Sequence, residues 1–319
     1  MGSSPIRVAN HASVAQSVEQ GTENPRVGGS IPPGGTIFTK LHKMREWLSG
    51  RASPCQGERR EFESRLPLQK HRLDGVFLLS EINEVKRMFS GKMKAITFSY
   101  DDGTIQDIRL TKLLSKYNLK ATFNINSELF GAVGEFNKDG RRADVTRVKK
   151  EDVKHVYDGH EVAVHTLTHD NLTQIEDEKE ILRQVEQDRI NLSEIVGYDV
   201  VGMAYPCGGV NCNDYVANLI KEKTSIRYAR ALPLTESFDP YPDLYQYCGT
   251  LYHGDRENLF KMGEEFLKMK PETPKVFYIW GHSFEFDLDE GRWEWFEEFL
   301  KMIANKDDIF YGTNKEVLL

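Results

Sequence analysis

Two adjacent carboxylates, Asp101 and Asp102, close the run Ser99-Tyr100-Asp101-Asp102-Gly103, and further along two imidazoles four residues apart frame His165-Thr166-Leu167-Thr168-His169. Side chains of these kinds bind divalent cations or move protons. Two imidazoles and one carboxylate make a ligand set with open positions, which suits zinc or a similar transition ion better than calcium or magnesium. Water held in an open position loses a proton near neutrality, and a second carboxylate beside it can accept that proton. The chemistry in outline is hydrolysis. Each motif also has a plainer reading, Asp-Asp-Gly as a turn and helix cap and the histidines as a pair on one helix face. Their co-occurrence at the ends of two strand-like segments favours a site.

Those segments are 94–100, rich in β-branched and aromatic residues and stopped by the Asp-Asp-Gly turn, and the short apolar 161–164. In α/β folds ligands bind at the carboxyl ends of parallel strands, so both motifs point into one crevice. A third segment, Gly202-Met203-Ala204-Tyr205-Pro206-Cys207-Gly208-Gly209, follows a β-like stretch at 198–201. A fourth, 226–230, is strand-like and ends in Arg230, and a fifth, 276–282, is almost uninterruptedly apolar and ends in Trp280-Gly281-His282. Helical spacing of Ile, Leu and Val runs over 105–117 and 177–196, with later helices at 213–222, 257–269 and 291–304. Strands are also expected at 121–126 and 308–311, and turn residues within 131–144 suggest a loop at the rim. Alternating strands and helices predict a parallel sheet.

The chain from about residue 92 onward resembles the polysaccharide deacetylases, carbohydrate esterase family 4, whose domain is also known from chitooligosaccharide deacetylases. Ser-Tyr-Asp-Asp-Gly is similar to the first motif of that family and His-Thr-Leu-Thr-His to its second. The resemblance implies a distorted (β/α)7 barrel, with Asp101 as catalytic base and Asp102, His165 and His169 as ligands of one divalent transition metal. Zinc is the expected ion, with cobalt, nickel or manganese as alternatives. It implies further that the backbone N–H of Cys207 faces the oxyanion, with Tyr205 beside it as a substrate contact. His282 becomes the general acid and Trp280 a wall of the acetyl pocket. The third motif usually begins with an arginine that orients the catalytic aspartate. That place holds Ala204 here, and Arg230 is the candidate to supply the missing charge. The match is weakest at Tyr247-Cys248-Gly249-Thr250-Leu251-Tyr252-His253-Gly254-Asp255, where His253 is a candidate substrate or metal contact with a structural role as its alternative.

The implied activity is metal-dependent removal of acetyl groups, N-acetyl first, from an amino sugar, oligosaccharide or polysaccharide. Two alternatives stay open: hydrolysis of a non-carbohydrate amide on the same fold, and a carbohydrate-binding protein that has lost catalysis. Residues 1–92 carry 14 Lys and Arg against 9 Asp and Glu, and residues 93–319 carry 28 against 40, so the two parts are +5 and −12. The acidic part argues against nucleic acid as a partner.

Residues 1–92 lack periodicity and are dense in Gly, Pro, Ser and Arg, so a non-globular extension is expected there. Gly28-Gly29-Ser30-Ile31-Pro32-Pro33 and Glu61-Phe62-Glu63-Ser64-Arg65 can each be back-translated into the T-loop sequence of transfer RNA genes. A start codon assigned too far upstream would produce this, with the protein beginning at Met88 or Met93 and 93–319 forming one catalytic domain. No apolar stretch is long enough to span a membrane, and no signal-peptide core follows Met1. Of four cysteines, Cys207, Cys212 and Cys248 fall in the main part, an odd number without a disulfide framework. The expected location is cytoplasmic.

Overall fold

The computed structural model describes residues 88–319. The expectations of a non-globular extension and a spurious start lie, for residues 1–87, outside the described residues.

The strands are β1 (Lys94–Asp101), β2 (Thr122–Ile125), β3 (Glu135–Lys138), β4 (Arg141–Asp144), β5 (Glu161–Val164), β6 (Gly202–Ala204), β7 (Tyr228–Ala231), β8 (Tyr247–Cys248), β9 (Leu251–Tyr252), β10 (Lys275–His282) and β11 (Ile309–Tyr311). All but β3 and β4 form one parallel sheet in the order β8-β7-β6-β5-β2-β1-β10-β9, with β11 paired to the start of β1. The two ends of that path, β8 and β9, are separated only by Gly249 and Thr250. One chain segment therefore supplies both edges, and the sheet curls on itself as a (β/α) barrel. Parallel strands covered on both faces are buried along their length, as β1, β5 and β10 are, and of these β10 reads as an almost continuous apolar run.

Side chains alternate across each strand, and the two faces differ in chemistry. Ile96, Phe98, Tyr100, Phe123, Val162, Met203 and Ile279 belong to the main apolar cluster with Leu110, Leu192, Phe266 and Phe299 of the surrounding helices. The opposite face, inside the barrel, carries Thr97, Ser99, Asp101, Thr122, Asn124, Glu161 and Arg230, all buried. Buried polar groups need partners, and the interior supplies them. Glu161 accepts from the Thr122 hydroxyl at 2.7 Å and the Tyr228 hydroxyl at 2.9 Å. Asn314, at the start of the last helix, joins Thr97 at 2.8 Å and the Tyr278 hydroxyl at 2.6 Å, closing the amino-terminal end.

Three local details differ from the expectation. The strand expected at 198–201 lies instead at Gly202–Ala204, and a Cβ on Gly202 would lie 2.1 Å from the Tyr228 hydroxyl. Only glycine lets that ring cross. The expected helix 177–196 is interrupted by a π-turn at Arg183–Gln187. The rim segment expected as a loop forms the antiparallel hairpin β3–β4, turned through Asp139 (φ 53°) and Gly140 (φ 76°), the positive-φ pair of a two-residue hairpin turn.

Candidate active site

The chemistry-bearing residues collect at the carboxyl ends of β1, β2, β5, β7 and β10. Asp101 stands opposite Asn124 of β2 in register on one side and opposite His282 of β10 on the other. Asp102, one residue beyond the strand, has φ 81°. Thr166 (φ 63°), His169 (φ 66°) and Cys207 (φ 69°) share that left-handed conformation. Strained backbone of this kind persists only where surrounding contacts hold it. Here four side chains supply them. Asn126 donates to the carbonyls of His165 at 2.5 Å and Thr166 at 2.9 Å. Asp188 accepts from the main-chain N–H of Ser127 at 2.8 Å and of His165 at 3.2 Å. Gln184, on the π-turn, accepts from the Thr168 N–H at 3.2 Å and donates to its hydroxyl at 2.9 Å. Arg147 reaches back to Asp102 Oδ1 at 3.0 Å and also donates to the Asp102 carbonyl.

Asp102, His165 and His169 present ligand atoms within 4.8 Å of one another. Asp102 Oδ1 lies 3.2 Å from His169 Nε2 and 3.9 Å from His165 Nε2. His165 Nδ1 is 2.9 Å from the Ala204 carbonyl, to which it donates, and this leaves the Nε2 lone pair facing the carboxylate. Burial pushes the His165 pKa down to about 4, so the ring is a neutral donor at physiological pH. Burial also works against a charged His169, but Asp102 outweighs it and lifts that pKa to about 10. A cation binding here would replace that proton. Two imidazoles and a carboxylate, one ring already oriented by a second hydrogen bond, fit a transition ion.

Asp101 is clamped from both sides. Arg230, 1% exposed, donates to Oδ2, and Asn124 Nδ2 donates to Oδ1 at 2.8 Å. Arg230 is the register partner of Ala204, so the small residue in the third motif faces the arginine on the neighbouring strand. The Arg230 guanidinium lies 4.5 Å over the Trp280 ring, which is 8% exposed. His282 is held between Trp280 and Phe284, with ring centroids 5.6 and 5.3 Å away.

Two candidates sit elsewhere. Tyr205 follows Ala204, so alternation turns its side chain outward into the main cluster, where its hydroxyl donates to the Tyr245 carbonyl at 2.8 Å. Its side chain does not contact the cluster of candidate ligands. His253 likewise points outward from the end of β9, 1% exposed, packed on Tyr100 and Phe286 and 2.6 Å from Glu285. It reaches neither the candidate ligands nor an open surface. The half-buried Cys207 approaches the His169 carbonyl, its Sγ at 3.7 Å. Asn124, Arg147, Gln184, Asp188 and Glu285 were not legible in the sequence, since each lies in a segment that reads as ordinary strand, loop or helix.

Residues 89–227 match the family model described as Polysaccharide deacetylase. No curated protein sequence matches the chain. Among solved structures it is similar to a Streptococcus pyogenes deacetylase, PplD, in complex with acetate (20% identity over 39% of this chain and 50% of that one, TM-score 0.32). It is also similar to peptidoglycan deacetylase PdaC from Bacillus subtilis (18%, 71% and 90%, TM-score 0.41). A third is a CE4 family pseudoenzyme from Bacillus anthracis (15%, 71% and 66%, TM-score 0.44). The chain spans half the length of the first of these. Among the described residues no helix is long and apolar enough to cross a membrane.

Proposed function

From the match of residues 89–227 to the polysaccharide deacetylase family model, we propose that the chain hydrolyses N-acetyl groups on an amino sugar or oligosaccharide. The catalytic unit is assigned to 93–319. One observation carries the reading. Asp102, His165 and His169 converge on one point, with Asp101 adjacent in the chain and held rigid by Arg230 and Asn124.

Asp102, His165 and His169 would hold the divalent ion, zinc first. When bound, such an ion polarises the acyl carbonyl and acidifies water. Asp101 then takes the proton of the attacking water, and its two hydrogen bonds keep it from swinging away as charge develops. The main-chain N–H of Cys207 is assigned to the oxyanion, a role any residue's backbone can fill. His282, buried beside Trp280, is assigned as the acid that protonates the leaving amine, and Trp280 as a wall for the acetyl methyl. Ala204 does not argue for lost catalysis, because Arg230 supplies the charge that the third motif lacks. The described cysteines, Cys207, Cys212 and Cys248, are free thiols, which suits a reducing compartment.

The test is release of free acetate from acetylated oligosaccharides by purified protein, with and without zinc, beside Asp101→Asn and His282→Ala. Metal-dependent release that both substitutions depress supports the reading. Intact protein that binds the oligosaccharides without releasing acetate would favour a binding role.

A further inference from the structure

We propose that Arg147 is a resident counter-cation of the metal site: it neutralises Asp102 when no ion is bound and lowers the affinity for zinc when one is. The proposal rests on the reading of Asp102, His165 and His169 as ligands. Arg147 lies on the return leg of the β3–β4 hairpin, and that leg is fastened by main-chain bonds to the chain leaving β1. The Ile105 N–H donates to the Thr146 carbonyl at 2.9 Å and the Val148 N–H to the Gly103 carbonyl at 2.8 Å, with Thr104 and Arg147 paired as an antiparallel bridge. On its other edge the leg is held by the Arg147 N–H, which donates to the Ala132 carbonyl at 2.9 Å. The Arg147 side chain is only 16% exposed, so this cation is fixed in place.

The atom it meets is the one a metal would use. Asp102 Oδ1 is 3.2 Å from His169 Nε2 and 3.9 Å from His165 Nε2, and Arg147 Nη1 stands 3.0 Å from that same oxygen. An ion and the guanidinium would therefore share one donor atom. A carboxylate oxygen has lone pairs for both, but its negative charge is then divided between two cations that also repel each other. His165 shows the contrast. Its ring is oriented by the Ala204 carbonyl, a partner that makes a ligand more basic, whereas a cation on Asp102 makes it less so. Holding the left-handed turn at Asp102 needs only the bond from Arg147 to the Asp102 carbonyl. The contact with Oδ1 acts on the ligand atom itself. Across the site the carboxylates of Asp101 and Asp102 are matched by the guanidiniums of Arg230 and Arg147. A divalent ion entering here meets no net negative charge, which weakens its hold and keeps its exchange open.

The experiment measures the zinc affinity of the full chain by competition with a chelator of known strength, with circular dichroism checking the fold of each metal-stripped variant. Arg147→Gln removes the charge but keeps a donor for the Asp102 carbonyl, and it should tighten zinc binding about 10- to 100-fold, the worth of one unit charge at this range in a partly buried site. Arg147→Met should shift the affinity the same way. Arg147→Lys keeps the charge and should stay near the unaltered affinity. Where a neutral variant loses its fold without zinc, the rate of zinc release from the loaded protein into excess chelator replaces the equilibrium value, because release starts from the folded state. That rate should fall by a similar factor. Zinc held equally or more weakly by Arg147→Gln, with release no slower, overturns the proposal and leaves Arg147 as a support of the Asp102 turn; so does an equal tightening by Arg147→Lys. Zinc binding that His165→Ala leaves unchanged would instead overturn the ligand set, whatever the Arg147 variants do.

Discussion

Replacing Arg230 by Met keeps most of the side-chain volume while deleting the charge, and it should be among the most damaging single substitutions in the barrel. The Arg230 side chain is 1% exposed and its Asp101 partner 4%. Neither group can recover solvation when the other is removed. Nε and Nη1 of Arg230 have no hydrogen-bond partner, so its bond to Asp101 is the principal compensation for burying the cation. Breaking a buried pair from one side costs about 3–5 kcal/mol. For a domain of this size that corresponds to a fall in Tm of roughly 6–20 °C. The pairing term should appear in a double-mutant cycle: Arg230→Met with Asp101→Asn should recover at least about 2 kcal/mol relative to the sum of the single changes. Urea unfolding followed by circular dichroism supplies all four values. A single-variant loss under about 1 kcal/mol, or additivity in the cycle, would refute the claim that these two groups neutralise each other.

Three further outcomes follow from the same geometry. His165→Ala and His169→Ala should each abolish tight binding of zinc, read by metal analysis after dialysis, because each removes one of three ligands; full retention by either would remove that residue from the set. Asp101→Asn should keep the metal and slow acetate release by roughly 10²–10⁴-fold, the usual worth of a general base, whereas Asp102→Asn should lose the metal; equal metal loss in both would reverse the roles. Burial lifts the Asp107 pKa from the ordinary 3.8 to about 7 although Ser283 and Tyr157 donate to it, so the stability tied to its protonated form is full below 3.8 and is lost as pH rises through about 7. Asp107→Asn should therefore flatten the fall in Tm between those limits, a term of up to about 4 kcal/mol, and an unchanged pH slope would show that Asp107 does not titrate there.

How far the sequence reaches can be seen element by element. β1, β5 and β10 are legible from their β-branched, aromatic and apolar residues, and Asp101, Asp102, His165 and His282 stand at or just beyond their carboxyl ends. Alternation along a strand sets Tyr205 on the face opposite Ala204, so it packs into the main apolar cluster, although its place in the third motif suggests a substrate contact. His253 illustrates a different limit. A histidine in a segment without a clear motif gives no sign of whether it faces the crevice or lies behind it, and the deciding contact, with Glu285, comes from another turn. Arg230 needed the register: only the pairing of β6 with β7 shows that its strand sets it against Ala204. The Asp139-Gly140 pair was a hairpin signal in plain view, masked by the charged residues around it. The π-turn that brings Gln184 and Asp188 to the histidine loop leaves no mark in the helical periodicity.

The measurement closest to the central claim is acetate release from an N-acetylated oligosaccharide by metal-stripped protein titrated with zinc. Release should rise in proportion to added zinc, level off at one ion per chain, and be absent at every zinc concentration that leaves Asp102→Asn unloaded. Full activity in the stripped protein, or activity in the Asp102 variant equal to that of the unaltered chain without bound zinc, would contradict the assignment of Asp102, His165 and His169 as the metal site of a deacetylase.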